Sequence, residues 1–147
     1  MGIKRAHESI RIDYQLAEQI GHILRRASQR HTAIFASHMP TGLTPTRFAA
    51  LAMLLEMGPL SQNALGRHTA MDIATIKGVV DRLAAKGLVS VGPDPHDARR
   101  NLIELTKEGR ALLGEAIPCG QKISEETVEP LNAKERAQLL KLLQKIT

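Results

Sequence analysis

The chain has 147 residues, with 20 Lys and Arg against 15 Asp and Glu, 43% hydrophobic residues, 2% aromatic residues and one cysteine. No apolar run approaches the roughly 20 residues that a bilayer-spanning helix needs, and charges interrupt residues 1–14 too often for a signal-peptide core, so a cytosolic protein is expected. A single cysteine excludes an internal disulfide framework and a CxxC metal or redox site. With one Tyr, two Phe and no Trp, the core must be built from Leu, Ile, Val, Met and Ala, which suits packed helices better than an all-β sandwich. The formal charge of +5 favours a polyanionic partner without specifying one, because many basic proteins use charge only for solubility.

In chain order, Leu16, Ile20, Ile23, Leu24, Ala27, Ile34 and Phe35 recur at spacings of three and four and predict one long amphipathic helix over 13–38. Pro40 and Gly42 end it. Thr44 as N-cap and Pro45 at the first helical position start a second helix, 45–57, which Gly58-Pro59 stops. Ser61 caps a short third helix, 62–68, and Asp72 a fourth, 73–86. In the fourth, Ile76, Val79, Val80 and Leu83 make one buried stripe, and Gly87 stands where a left-handed terminating residue is wanted. Its opposite face is centred on Ala74, Gly78, Asp81 and Ala85, with Thr75, Lys77 and Arg82 at the margins.

Residues 88–91 and 101–105 read as two short strands around a polar tip, 92–100, that holds two prolines and two aspartates. Thr106 caps a further helix to about 127, with a kink expected near Pro118-Cys119-Gly120. The last helix, 133–146, opens with Asn132 and Glu135 in capping-box spacing and carries Leu139, Leu140, Leu142, Leu143 and Ile146. The fold class is therefore mostly α with a small β-hairpin wing. Residues 1–40 form an N-terminal arm and first dimerisation helix, 41–106 a winged helix-turn-helix, and 107–147 C-terminal dimerisation helices.

In a winged helix-turn-helix the recognition helix, here 73–86, lies in a DNA major groove while the hairpin reaches the flanking backbone or minor groove. Ala74 and Gly78 let the helix backbone approach base edges, Thr75 can bond a base or phosphate, and Lys77 and Arg82 can neutralise phosphates. Ser61 and Arg100 flank this face as further DNA contacts. A mid-helix glycine costs about 1 kcal/mol relative to alanine, so Gly78 marks either close approach to a ligand or drift on a solvent face. At the hairpin tip Arg99 can enter the minor groove, with Asp97 holding its guanidinium by a bidentate pair.

Asp97-Ala98-Arg99 followed by Leu105-Thr106 and Gly109 resembles the wing signature of the MarR (multiple antibiotic resistance regulator) family. Leu43-Thr44-Pro45, Ile76 through Leu83, and Lys86-Gly87-Leu88-Val89 are similar to that family's second-helix start, recognition helix and helix-to-strand joint, and the similarity spans about residues 14–146. The resemblance implies a homodimeric repressor or activator that reads a palindromic double-stranded operator and loses affinity when a small aromatic or phenolic ligand, such as an aromatic carboxylate, binds. It also implies an effector pocket beside the first helix, at Arg25 and Ser28, with Arg99 closing it from the wing side.

The first helix and the last two are too rich in Leu and Ile for the winged helix alone to cover, and a second copy is the simplest cover. Ile10, Ile12, Leu16, Leu112, Leu113, Ile117, Leu131, Leu139, Leu142 and Leu143 are the candidate interface, some of which must instead be intrachain core. Two-fold symmetry would set the recognition helices one or more turns of duplex apart, roughly 34 Å.

Other chemistries fit poorly. Asp94, His96 and Asp97 are the nearest approach to a metal-ligand group, but no HExxH, Cys/His finger or i,i+4 histidine pair is present, and no metal or cofactor is expected. Cys119 is a candidate oxidant sensor or an inert helix cysteine. No GxSxG, Walker or GxGxxG motif supports an enzyme, and the remaining alternative is a winged helix used only for protein contacts.

Overall fold

The computed structural model describes residues 13–40 and 42–147, so Ile10 and Ile12 of the candidate interface lie outside the described residues. A single 3₁₀ turn, Leu16–Glu18, leads into helices α1 (Ile20–His38), α2 (Pro45–Met57), α3 (Gln62–His68) and α4 (Ile73–Ala85). Strands β1 (Val89–Asp94) and β2 (Asp97–Leu105) follow, then helices α5 (Lys107–Thr127) and α6 (Ala133–Lys145). The helix predicted over 13–38 is thus broken at Gln19, whose backbone is extended at φ −85° and ψ 133°. Apolar spacings of three and four fit 3₁₀ and α turns alike, so periodicity does not report that break.

Side-chain caps set the other helix starts where the sequence places them. Thr44, Ser61, Asp72 and Thr106 accept from the N–H groups of Arg47, Ala64, Thr75 and Gly109 at 3.3, 3.2, 2.7 and 3.0 Å. Asn132 and Glu135 form the reciprocal capping box. Such caps satisfy backbone donors that the first helical turn leaves without partners. Gly87, at φ +72°, turns the chain from α4 into β1.

The core gathers around α2. Leu51 and Leu54 pack with the α4 stripe of Ile76, Val79, Val80 and Leu83, with Val89 and Ile103 of the hairpin, and with Leu113, Ala116 and Ile123 of α5. Phe35 of α1 meets Phe48 of α2 edge to face, with ring centroids 6.2 Å apart. Leu113, assigned to the dimer surface, is fully buried in this intrachain core, because α5 turns that face toward α1 and α2. Leu112 and Ile117 are half-buried against the same cluster.

The hairpin runs further than predicted. Antiparallel pairing extends from Val89 opposite Leu105 to Pro93 opposite Asn101 and, past a bulge, to Asp94 opposite Asp97, leaving only Pro95-His96 between the strands. Pro93 is tolerated because β1 is an edge strand, where a missing N–H removes no ladder bond. Leu60 and Ile103 exchange two backbone hydrogen bonds of 3.1 and 2.7 Å, which ties the entry to α3 onto β2.

α5 runs as one helix through Pro118, the site of the expected kink. Two residues on, α5 passes close to α2, since a Cβ on Gly120 would stand 3.0 Å from the ring of Phe48. Gly109 is more tightly placed still. A Cβ there would lie 2.1 Å from the Leu88 carbonyl oxygen, and Thr106 Oγ1 donates to the Gly87 carbonyl at 2.6 Å. The Leu-Thr-x-x-Gly portion of the wing signature therefore locks α5 across the joint between α4 and β1. Gly109→Ala is expected to destabilise the fold by about 1–3 kcal/mol, because the colliding atom is backbone and cannot rotate away; a denaturant melt measures this.

Candidate nucleic-acid interface

A helix meant to enter a groove needs a firm start, one buried side and one accessible side. In α4, Asp72 fixes the start, and Ile76, Val79, Val80 and Leu83 are buried. Ala74, Thr75, Lys77, Gly78, Asp81, Arg82 and Ala85 are all exposed. A Cβ added to Gly78 would meet nothing within 4 Å, so no intrachain packing accounts for the glycine. Lys77 Nζ lies 2.8 Å from Asp81 Oδ2, one turn further along, which holds the ammonium on this face.

The cap also carries a pH signature. Hydrogen bonds from the Thr75 backbone N–H and then its side chain hold the Asp72 carboxyl below its ordinary 3.8. A depressed folded-state pKa means that the contribution is complete above pH 3.8 and is lost as pH falls through the lower folded value. Asp72→Asn, which keeps a capping oxygen, is expected to remove this acid sensitivity; thermal melts on either side of that window compare the two.

One shallow groove flanks α4 and another lies between the α3 region and the hairpin. Thr75, Gly78 and Arg82 face Thr44, Thr46 and Arg47 across one of about 370 Å³. The Arg47 guanidinium is oriented by donation to the Gly42 carbonyl at 2.9 Å. Thr46 and Arg47 did not stand out from periodicity, although their place in the first turn after the Leu-Thr-Pro start was the available signal. The second groove, about 560 Å³, brings Ser61, Asn63 and Arg67 of the α3 region opposite Arg100 and Asn101 of β2. Ser61 and Arg100 are thus joined, with the Ser61 hydroxyl already engaged as a cap.

At the wing tip Arg99 is 91% exposed. One oxygen of Asp97, Oδ1, accepts from both the Arg99 backbone N–H at 3.1 Å and its Nε at 3.2 Å. This corrects the expected bidentate pair: the tight turn places backbone and side chain of Arg99 on the same oxygen. Asp94 Oδ1 accepts from His96 N–H at 2.8 Å and stiffens the turn from the other strand.

Arg25 and Ser28 are exposed on α1, and neither they nor Arg99 lines the cavity of about 190 Å³ between α1, α2 and α5. That cavity is bounded by His31, Phe35, Phe48, Gly120 and Ser124, because the face of α1 turned toward α5 runs through His31 and Phe35. Thr127 Oγ1 donates to the Ile123 carbonyl at 2.7 Å and so accepts from His31 Nδ1 at 2.9 Å, which places that ring proton on Nδ1. The Arg30 guanidinium donates to the carbonyls of Glu126 and Thr127, and His38 Nε2 lies 2.5 Å from Glu126 Oε2. Cys119 is half-buried with Sγ 3.5 Å from the Glu115 carbonyl.

A third surface is apolar. Leu16, Ile20, Ile23 and Leu24 at one end of the chain, and Leu139, Leu140 and Leu142 on α6 with Ile146 at its C-cap, are exposed. Leu131 and Leu143 are half-buried, and α6 has no buried residue. No helix among the described residues is long and apolar enough to cross a membrane.

The fold and this face define a winged helix-turn-helix protein. The sequence model of the MarR family matches residues 41–100. The HTH-type transcriptional repressor NicR of Pseudomonas putida is 48% identical over 134 residues, covering 90% of this chain and 85% of its own. The structure of Bordetella bronchiseptica BpsR, from work on regulation of its DNA binding by 6-hydroxynicotinic acid, superposes with a TM-score of 0.87 at 42% identity, covering 90% of this chain and 96% of that one. A cysteine-to-serine mutant MarR from E. coli, complexed with operator DNA, gives 0.77 at 27% identity, with 86% and 91% covered. The chain belongs to the MarR family.

Proposed function

We propose that the protein is a homodimeric transcriptional repressor that binds a palindromic operator through α4 and the wing, and that a small aromatic carboxylate releases it. The observation that carries this reading is the bare outer face of α4, where Gly78 has open space above it on a helix whose other side is wholly core. Thr75, Lys77 and Arg82 frame that face for base and phosphate contacts, and Ser61, Arg100 and Arg99 extend it toward the flanking backbone. NicR is named a repressor, and the BpsR work concerns regulation of DNA binding, which supports the same role here.

The dimer rests on the exposed apolar residues of the α1 end and α6, which a second copy would cover. In this reading residues 1–40 and 107–147 are dimerisation segments around the 41–106 reading domain. The effector site is the junction of α1 with α2 and α5. A cavity of about 150 Å³ admits one benzene-sized ring, and the 190 Å³ here has the aromatic walls Phe35 and Phe48. His31 Nδ1 is committed to Thr127, so Nε2 is the ring nitrogen left to meet a polar ligand group. Arg25 and Ser28 lie outside this cavity, on the exposed flank of the same helix, so the effector reading rests on His31, Phe35 and Phe48.

Fluorescence anisotropy on an operator selected from fragments of the source genome tests the whole reading. Tight duplex binding that 6-hydroxynicotinic acid reverses is expected. Binding unaffected by aromatic carboxylates removes the effector, and absence of binding to any duplex removes the function. In the same assay Arg99→Ala is expected to weaken binding by about 1–3 kcal/mol with the dimer intact; unchanged affinity takes the wing out of the mechanism.

A further inference from the structure

Ile73 is the most exposed of the large apolar residues described, at 75%. It belongs to neither of the apolar surfaces assigned to a second copy, since it opens α4, away from the α1 end and from α6. Nothing in the intrachain core explains it, because the buried stripe of α4 begins at Ile76. Its position does. Ile73 is the first residue of the recognition helix, immediately after the Asp72 cap, and helical side chains lean toward the N-terminus, so its branched side chain stands at the helix's leading end. The N-terminal residues of such a helix meet base edges in the major groove. Ile73 also borders an open groove between α3 and α4, of about 600 Å³, shared with Gly66, Met71, Ala74 and Ile76. An apolar side chain at that place has one apolar partner on a base edge, the 5-methyl group of thymine. A β-branched residue is stiff at χ1 and loses little freedom when it packs there.

We propose that Ile73 packs against the 5-methyl group of a thymine in each operator half-site and makes the protein select thymine at that position. The proposal rests on the operator-binding reading above and assigns one residue the recognition of one base. The experiment replaces each thymine of the selected operator in turn with deoxyuridine, which removes only the methyl group, and measures the affinity of the parent and of Ile73→Ala. For the parent, one thymine position per half-site is expected to lose about fourfold in affinity without its methyl group, the worth of one buried methyl. Ile73→Ala is expected to bind the thymine operator more weakly by a similar factor and to bind the deoxyuridine operator no differently. A parent indifferent to every deoxyuridine, or an Ile73→Ala protein that discriminates as the parent does, overturns the assignment while leaving operator binding in place. Failure of both proteins to bind any duplex overturns the operator-binding reading itself.

Discussion

Leu142→Glu is expected to give a folded monomer that has lost operator affinity. Leu142 is 52% exposed, and α6 contributes no buried residue to its own chain, so the substitution leaves the core around Leu51, Leu113 and Ile123 untouched. Across a two-fold axis the position occurs twice, and a leucine whose burial is worth about 1.5–3 kcal/mol is lost from each side. The dimer dissociation constant should therefore rise by roughly two to four orders of magnitude. A monomer presents one recognition helix and reads one half-site. Sedimentation equilibrium and a thermal melt separate the outcomes: a folded dimer of parental affinity would show that α6 does not hold the two copies together.

Gly78→Gln is expected to move stability and DNA affinity in opposite directions. Replacing a mid-helix glycine by a good helix former should stabilise α4 by roughly 0.5–1 kcal/mol, and nothing within 4 Å of the new Cβ opposes it. The same side chain would stand between the helix and the groove floor and force the backbone away from base edges. Losing those contacts should weaken operator binding by about 3 kcal/mol. A variant that melts higher and binds less tightly identifies Gly78 as a device for close approach, whereas one that melts higher and binds as well as the parent makes it an ordinary surface glycine.

The starts of α2 to α6 were legible because capping has a short-range chemistry that can be read residue by residue, whereas α1, whose N-cap Gln19 makes no side-chain cap, began later than its periodicity implied. Thr44, Ser61, Asp72, Thr106 and Asn132 all accept the hydrogen bonds their positions imply. The buried stripe of α4 was legible for the same reason, as a 3.6-residue repeat seen from one side. What periodicity could not convey was which neighbour covers an apolar face. Leu113 and Leu142 are alike in spacing and composition, yet one is intrachain core and the other is exposed, and only the packing of α5 against α1 and α2 distinguishes them. Similarly, Pro93 reads as loop until β1 is seen to be an edge.

The candidate DNA face was readable to the extent that it lies on one helix, where Ala74, Thr75, Lys77, Gly78 and Arg82 share a side by spacing alone. Thr46, Arg47, Asn63 and Arg67 come from other elements and join it only once α2 and α3 are placed beside α4. The cavity at His31, Phe35 and Phe48 draws on three helices, far apart in the chain, so no local pattern marks it.

The most direct test is the salt dependence of affinity for the selected operator. Each phosphate neutralised by Lys or Arg contributes about −0.9 to the slope of log affinity against log salt. Lys77, Arg82, Arg99 and Arg100, exposed in each half of the proposed dimer, provide for roughly eight such contacts, so a slope of about −7 is expected. A flat line at every salt concentration would contradict the account at its root.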